Sequence, residues 1–443
     1  MKIDFSRKVK NPIERLRNSV QEPLLIIYDV LGHFAKPRDH LSKSFCSNLN
    51  ARAKNGFLFS QEKDLVMTSS KLDINHWQWL KSVNIGKGDL FFVEQMSEDE
   101  EESFFEFFLR QNRTAYLIEL LKQRQICKIF SWMNSQNEVT FASQNNLEFA
   151  WTCPFSLVQE HFDKILFKEK VRNLHLPVID FFTFQTPNED RKKWQSKIKM
   201  NFANYLPEKK LIAKPSSSAA GSGIFTFQVK DQNHAYEKII SLESNLWLIE
   251  EYFEECRSVN IQIFISDTHQ LDFFGVSEQL LQGFSYRGNH GSPQSCNDQG
   301  MAECFVQSQV IAHDIAKQGY RGLIGLDFVI TPKNEVRVLE NNIRLNGSTF
   351  SLCLVAEIEK TLGKQIFWRF EKLFFESSIS FVRIYESNKE ILYSSQVPLL
   401  AGIFIQEYAS SERGTELAVI SWATSKTQLE DVILQFKLNI GLH

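Results

Sequence analysis

The sequence predicts an α/β domain, then a strand-rich α+β region, then a small C-terminal α+β domain. Three observations carry this. Residues 1–150 alternate short apolar runs with helical periodicity, the pattern of a mostly parallel sheet with helices on its faces. Residues 151–363 hold longer alternating runs separated by turn residues, and residues 364–443 repeat that pattern on a smaller scale. At 443 residues the chain also exceeds the roughly 250–300 residues at which a single core stops growing.

In the first region Leu24 to Val30, Asp64 to Thr68 and Asp89 to Val93 read as buried strands. Ser97 and Glu100 have capping-box spacing ahead of Phe104, Phe105, Phe107, Phe108 and Leu109, which places a helix start there. No G-x-G-x-x-G follows any of these strands, which excludes a dinucleotide site of that type. In the last region Phe381 to Tyr385, Leu399 to Ile405 and Glu416 to Ala423 read as strands. A helix capped by Ser425 and Gln428 follows them.

Composition narrows the function classes. The 38 Phe residues read as core filling. A net charge of −3 gives no electrostatic footprint for nucleic acid or an anionic membrane. Seven scattered Cys with no C-x-x-C pair fit reduced thiols in a cytosol. The polar stretch Met1 to Asn18 has no apolar signal core, and no apolar run approaches the ~18 residues of a membrane span. A soluble cytoplasmic protein is therefore expected.

The chemistry concentrates in residues 151–363. Two apolar alternating runs flank Pro332-Lys333-Asn334-Glu335, a turn by composition. With Lys333 and Asn334 at its centre, Asp327 lies directly opposite Glu340, and Asn342 and Arg344 share that face. Like charges placed opposite each other destabilise a hairpin unless a divalent cation lies between them, and Mg²⁺ is typically held by one or two carboxylates. Alternatively, one carboxylate simply pairs with Arg344 or Arg337 at the surface.

Upstream, the apolar run Leu211-Ile212-Ala213 ends in Lys214-Pro215 and leads into Ser216-Ser217-Ser218-Ala219-Ala220-Gly221-Ser222-Gly223. Small residues let backbone N–H groups approach a phosphate closely, and a lysine supplies a point charge. G-x-x-x-x-G-K-[ST] is absent, so this is no P-loop, and an ordinary surface turn is the alternative reading. Further along, Trp247-Leu-Ile-Glu250-Glu251-Tyr252-Phe253 begins apolar and turns acidic, and Asp163-Lys164 precedes a helical stretch.

In order and spacing these elements resemble the ATP-grasp superfamily, over about Phe162 to Thr349. The resemblance implies an ATP-grasp fold whose flap occupies about 175–252, preceded by a pre-ATP-grasp domain. It implies ATP contacts from Lys164, Lys214 and the loop residues Ser217, Ser218, Gly221 and Gly223. The linker Glu250-Glu251-Tyr252-Phe253 would hold adenine through the Glu250 carboxylate or backbone and the backbone of Glu251 and Phe253. Asp327, Glu340 and Asn342 match the Mg²⁺ ligands, and Arg344 the arginine that steadies the transferred phosphoryl group. Asn342-Ile-Arg344-Leu-Asn-Gly347-Ser-Thr349 is similar to the peptide-ligase branch typified by the pheganomycin peptide ligase, but the paired glycines and the H-P pair of that branch are missing.

The implied activity is an ATP-dependent carboxylate–amine ligation that forms an amide through an acyl phosphate, with Lys214 and Arg344 stabilising charge. The substrates would be small-molecule or peptide carboxylates and amines. A second mobile stretch, Phe284 to Gly291, carries Arg287 as a holder for an incoming carboxylate and His290 as a base. An ordinary surface loop is the alternative there. The competing functions are an ATP-grasp kinase, a ligase that modifies a protein side chain, and a non-enzymatic ATP-binding module.

Overall fold

A computed structural model describes residues 16, 22–34, 43–69, 72–93, 102–111, 113–151, 154–202, 204–216, 223–242, 244–295 and 298–441. The N-terminal domain is built on β1 (Leu24–Ile27), β2 (Leu65–Thr68), β3 (Asp89–Phe92), β4 (Lys128–Ser131) and β5 (Glu148–Phe149). They form one parallel sheet in the order β3-β2-β1-β4-β5. β1 is buried along its whole length, as the central strand of a sheet covered on both faces must be. The helix Phe104–Arg110 starts at a capping box made by Ser103 and Glu106. The box expected at Ser97 and Glu100 lies outside the described residues.

The next lobe is a four-stranded antiparallel sheet of β6 (Phe181–Gln185), β7 (Lys210–Pro215), β8 (Phe225–Gln228) and β9 (Leu246–Glu251), ordered β6-β9-β7-β8. It has its own core around Trp194 and Trp247. The main sheet has eight strands. They are β10 (Arg257–Ile265), β11 (Leu271–Gln282), β12 (Ser285–Gly291), β13 (Gly322–Ile330), β14 (Val336–Asn342), β15 (Phe367–Phe375), β16 (Ala401–Ser411) and β17 (Gly414–Ala423). Their order is β14-β13-β10-β11-β12-β15-β17-β16, so the last strands of the chain continue the sheet that carries β13 and β14. The core of this sheet runs on into one face of the N-terminal domain.

Two local expectations are corrected. Phe381 to Tyr385 is not a strand but the start of a helix, Phe381–Asn388. Ser380 caps it, and Phe381, Ile384 and Asn388 are buried at helical spacing, so the apparent alternation was a three- and four-residue period cut short. Phe284 to Gly291 is not a loop but largely β12, paired with β11 on one side and β15 on the other. Its glycines are needed for close approach. A side chain at Gly288 would overlap the Phe370 carbonyl, and one at Gly291 the Trp368 indole. The helix Lys426–Asn439 starts as expected, with Ser425 accepting from the Gln428 N–H. The Gln428 side chain bonds Thr424 and does not reach back to Ser425.

Candidate active site

A cavity of about 590 Å³ lies where the N-terminal domain, the four-stranded lobe and the eight-stranded sheet meet. That volume falls within the roughly 300–1,000 Å³ of small-molecule clefts. Lys164, Lys214, Glu250, Glu251, Phe253, Asp327, Glu340, Asn342 and Arg344 all line it.

The hairpin β13–β14 sets its acidic edge. Asp327 is paired with Glu340, and Gly325 with Asn342. The register nevertheless slips by one residue between Asp327 and Phe328, beyond which Ile330 pairs with Val336. The turn is therefore centred on Lys333, half a residue earlier than expected, with Asn334 in the left-handed region at φ 61°, and a bulge at Leu339 restores the Asp327–Glu340 opposition.

Asp327 is buried and accepts from Asn260 Nδ2 at 2.7 Å, Gln279 Nε2 at 3.0 Å and Asn342 Nδ2 at 3.0 Å. Burial, and then the facing Glu340, push its carboxyl well above the usual range. Glu340 feels the same burial, but Lys164, whose Nζ is 3.8 Å away, leads the interactions that hold it low. Two carboxylates sharing one proton in this way fit a divalent cation, which removes their repulsion and needs both ionised. Neither Arg344 nor Arg337 forms a direct ion pair with Asp327 or Glu340, although the Arg344 charge helps to hold Glu340 low. Arg337 contacts Glu335 at 3.4 Å, while Arg344 donates to Asn342 Oδ1 and to the Leu345 carbonyl and lies 4.7 Å from the Trp132 ring centre.

Beneath this edge runs a polar network that sequence reasoning missed. Gln262 Nε2 donates to Asn260 Oδ1 at 2.9 Å and to Ser348 Oγ at 2.8 Å, and Thr349 Oγ1 donates to Gln262 Oε1 at 2.9 Å. Asn346 completes it through Thr349 and the Arg344 carbonyl. The network ties Asp327 to the turn that carries Arg344, and all its side chains are buried. The signal was in β10: Val259-Asn260-Ile261-Gln262-Ile263 places two amides on one face of an otherwise apolar, fully buried run.

The cavity wall opposite the acidic edge is organised around Glu250, a fully buried carboxylate on β9. Lys168 Nζ lies 2.9 Å from its Oε2, and Lys214 Nζ contacts Oε1. Burial alone would raise the Glu250 pKa, yet the two ammonium groups pull it down to about 2. Its carboxylate is thus engaged by lysines. The side chain of Glu251 turns to Tyr205 Oη, 2.6 Å away, and to Lys209. Lys164 follows Asp163, whose carboxylate caps the helix Lys164–Asn173, and Lys168 sits one turn on, wholly buried.

Not every expected residue joins this group. Ser217, Ser218 and Gly221 lie outside the described residues, and Gly223 is described at φ 73° beside Pro215. Arg287 is exposed, donates to Gln282 Oε1 at 2.9 Å and does not line the cavity. His290 does not line it either, whereas Tyr286 and Asn289 of the same strand do. Strict alternation would group Tyr286 with His290 and Arg287 with Asn289, but the register slips at Arg287, where Leu280 pairs with Gly288 and Leu281 with Tyr286, and the expected carboxylate holder and base stay outside the cavity lining. Residues that sequence reasoning did not single out take part from the other domains: Tyr28, Arg52, Asn55 and Trp132 from the N-terminal domain, and Lys372 and Glu407 from β15 and β16.

Residues 201–342 match the family model described as L-aspartate--L-methionine ligase, ATP grasp. The fold is that of the ATP-grasp enzymes. Its whole-chain architecture is similar to biotin carboxylase from Campylobacter jejuni, at TM-score 0.57 and 13% identity, over 95% of this chain and 90% of that one. It is likewise similar to N5-carboxyaminoimidazole ribonucleotide synthetase from Thermus thermophilus, at TM-score 0.56 and 13% identity, over 94% and 98% of the two chains. The biotin carboxylase domain of 2-oxoglutarate carboxylase from Hydrogenobacter thermophilus, solved with MgADP and bicarbonate, matches at TM-score 0.54 and 11% identity, over 91% and 86%. At these identities the solved structures establish the ATP-grasp fold, and the family model adds the ligase class expected from the sequence. No helix among the described residues is long and apolar enough to cross a membrane.

Proposed function

We propose that this chain forms an amide between the carboxylate of one small molecule and the amine of another, each an amino acid or a short peptide, at the expense of ATP. The observation that carries the reading is the Asp327–Glu340–Asn342–Arg344 edge, facing Lys164 and Lys214 across one cavity. The match to the L-aspartate--L-methionine ligase family model supports amino acids as substrates.

Asp327, Glu340 and Asn342 would hold Mg²⁺, which when bound neutralises phosphate oxygens. Lys164 and Lys214 are placed for the phosphates of ATP, and the linker from Glu251 to Phe253 for the base. In the first step a carboxylate oxygen attacks Pγ; an O–P bond forms, the bond to the β,γ-bridging oxygen breaks, and ADP leaves. In the second the amine attacks the acyl carbon; a C–N bond forms, the C–O bond to phosphate breaks, and the amine loses a proton. Arg344, held by Asn342 and stacked on Trp132, stays beside the transferred group throughout. The walls from three parts of the chain exclude water, which would otherwise hydrolyse the acyl phosphate.

Oxygen-18 in the donor carboxylate tests the chemistry. One labelled oxygen per turnover should appear in inorganic phosphate alongside the amide. A phosphorylated product without free phosphate would establish a kinase instead.

A further inference from the structure

Part of the cavity wall is left unexplained by the reaction as described. Arg52, Lys372 and Glu407 line it where the N-terminal domain meets β15 and β16. Glu407 accepts from Asn55 Nδ2 at 3.0 Å. Burial acts to raise its pKa, but Lys372, Lys54 and Arg52 lower it below the usual range, so it is ionised with three cations around it. Glu416 and Arg287 also act on Lys372, so four cations of this patch face two carboxylates. Lys54 is committed, donating to the Tyr408 carbonyl at 3.4 Å. Among the described residues, neither Arg52 nor Lys372 has a hydrogen-bond or ion-pair partner.

Arg52 is half-buried and Lys372 keeps solvent exposure while lining a cleft otherwise walled by Phe59, Trp132, Met133 and Phe370, so both can receive an anion that enters it. Phosphate is an unsuitable anion here, because the nucleotide-facing lysines and the acidic edge belong to other elements. An arginine fork beside a lysine matches a carboxylate. Ligation also leaves one group unhandled, since an amino acid that attacks through its amine retains its own carboxylate.

Resting on the ligase reading, we propose that Arg52 and Lys372 bind the carboxylate that is not activated, that of an amino-acid amine substrate. The N-terminal domain and the C-terminal strands then select the acceptor, while the hairpin and the four-stranded lobe handle ATP. The same chemistry would suit a second carboxylate on the donor, and the test separates the two.

Thermal shifts of the full chain are measured with Mg²⁺–ADP, then with each L-amino acid and its α-carboxamide, for wild type, Arg52→Gln and Lys372→Met. The Mg²⁺–ADP shift, expected unchanged, reports that each variant is folded. At least one monocarboxylic amino acid should bind wild type more tightly than its amide, and either substitution should erase that preference, roughly ten- to hundredfold. Loss of preference only between aspartate or glutamate and their side-chain amides would overturn the assignment to the amine substrate and give the subsite to the donor. An acid-over-amide preference that survives both substitutions would overturn the subsite. So would the absence of any amino-acid shift beside a normal Mg²⁺–ADP shift, which leaves the nucleotide site standing. Absence of the Mg²⁺–ADP shift would instead count against the proposed function, and the acid and amide arms would then be read on the nucleotide-free protein.

Discussion

Replacing Lys168 by Met tests whether the cavity wall around Glu250 is held by one ion triad. Lys168, Glu250 and Lys214 are linked through a carboxylate with no exposed surface, so removing one ammonium leaves charge in a nonpolar place. The Glu250 pKa falls from 4.5 to about 2, which at 1.36 kcal/mol per unit is about 3 kcal/mol on the carboxylate, while burial lowers the Lys168 pKa and offsets part of it. It agrees with the roughly 3–5 kcal/mol usual for breaking a buried pair. The assay is urea denaturation followed by the fluorescence of Trp194 and Trp247, both fully buried in the same lobe. Lys168→Met and Glu250→Gln should each cost about 3 kcal/mol near neutral pH, and the double variant should recover most of the loss. Because the folded pKa lies below the unfolded one, this stabilisation is present above pH 4.5 and fades as pH falls towards 2. The gap between wild type and Lys168→Met should narrow over that window. Losses under about 1 kcal/mol, or losses that simply add in the double variant, would refute the triad as an energetic unit.

Two further predictions follow from geometry. His76 is buried among Trp79, Phe381 and Tyr408 with Nε2 3.0 Å from the Ile405 carbonyl, and burial lowers its pKa from 6.5 to about 4. The unfolded chain takes up that proton first, so stability should fall by up to about 3 kcal/mol between pH 6.5 and 4, and His76→Gln should flatten the profile of wild-type stability against pH. Arg344→Lys keeps the charge but loses the planar fork on Asn342 and the stacking on Trp132; kcat should fall on the order of 10²–10³-fold with the ATP affinity little changed.

The acidic hairpin was legible because its information is local. Asp327 and Glu340 sit at fixed offsets from a turn, and period-two alternation carries Asn342 and Arg344 to the same face. The pairing next to the turn was out of register by one residue, and the bulge at Leu339 cancelled the error, something no period can announce. Lys168 was illegible for the opposite reason. In Lys-Ile-Leu-Phe-Lys-Glu-Lys it looks like one of several surface lysines, and only the packing of its helix towards β9 and β14 buries it. Arg287 and His290 were misjudged because Gly288 and Gly291 read as loop residues, whereas here glycine lets β15 approach. Arg52, Lys372 and Glu407 come from distant parts of the chain and meet only through the tertiary fold.

The account turns on whether Asp327 and Glu340 serve an ATP-driven ligation. Its most direct test measures ADP release with Mg²⁺ and ATP against pooled amino acids and short peptides, with mass spectrometry of the products and Glu340→Ala as the control. The account predicts one ADP for each product equal to two substrates less one water, with both falling at least about 10²-fold in Glu340→Ala. Condensation that proceeds unchanged without Glu340, or ATP that neither binds nor turns over, would contradict it.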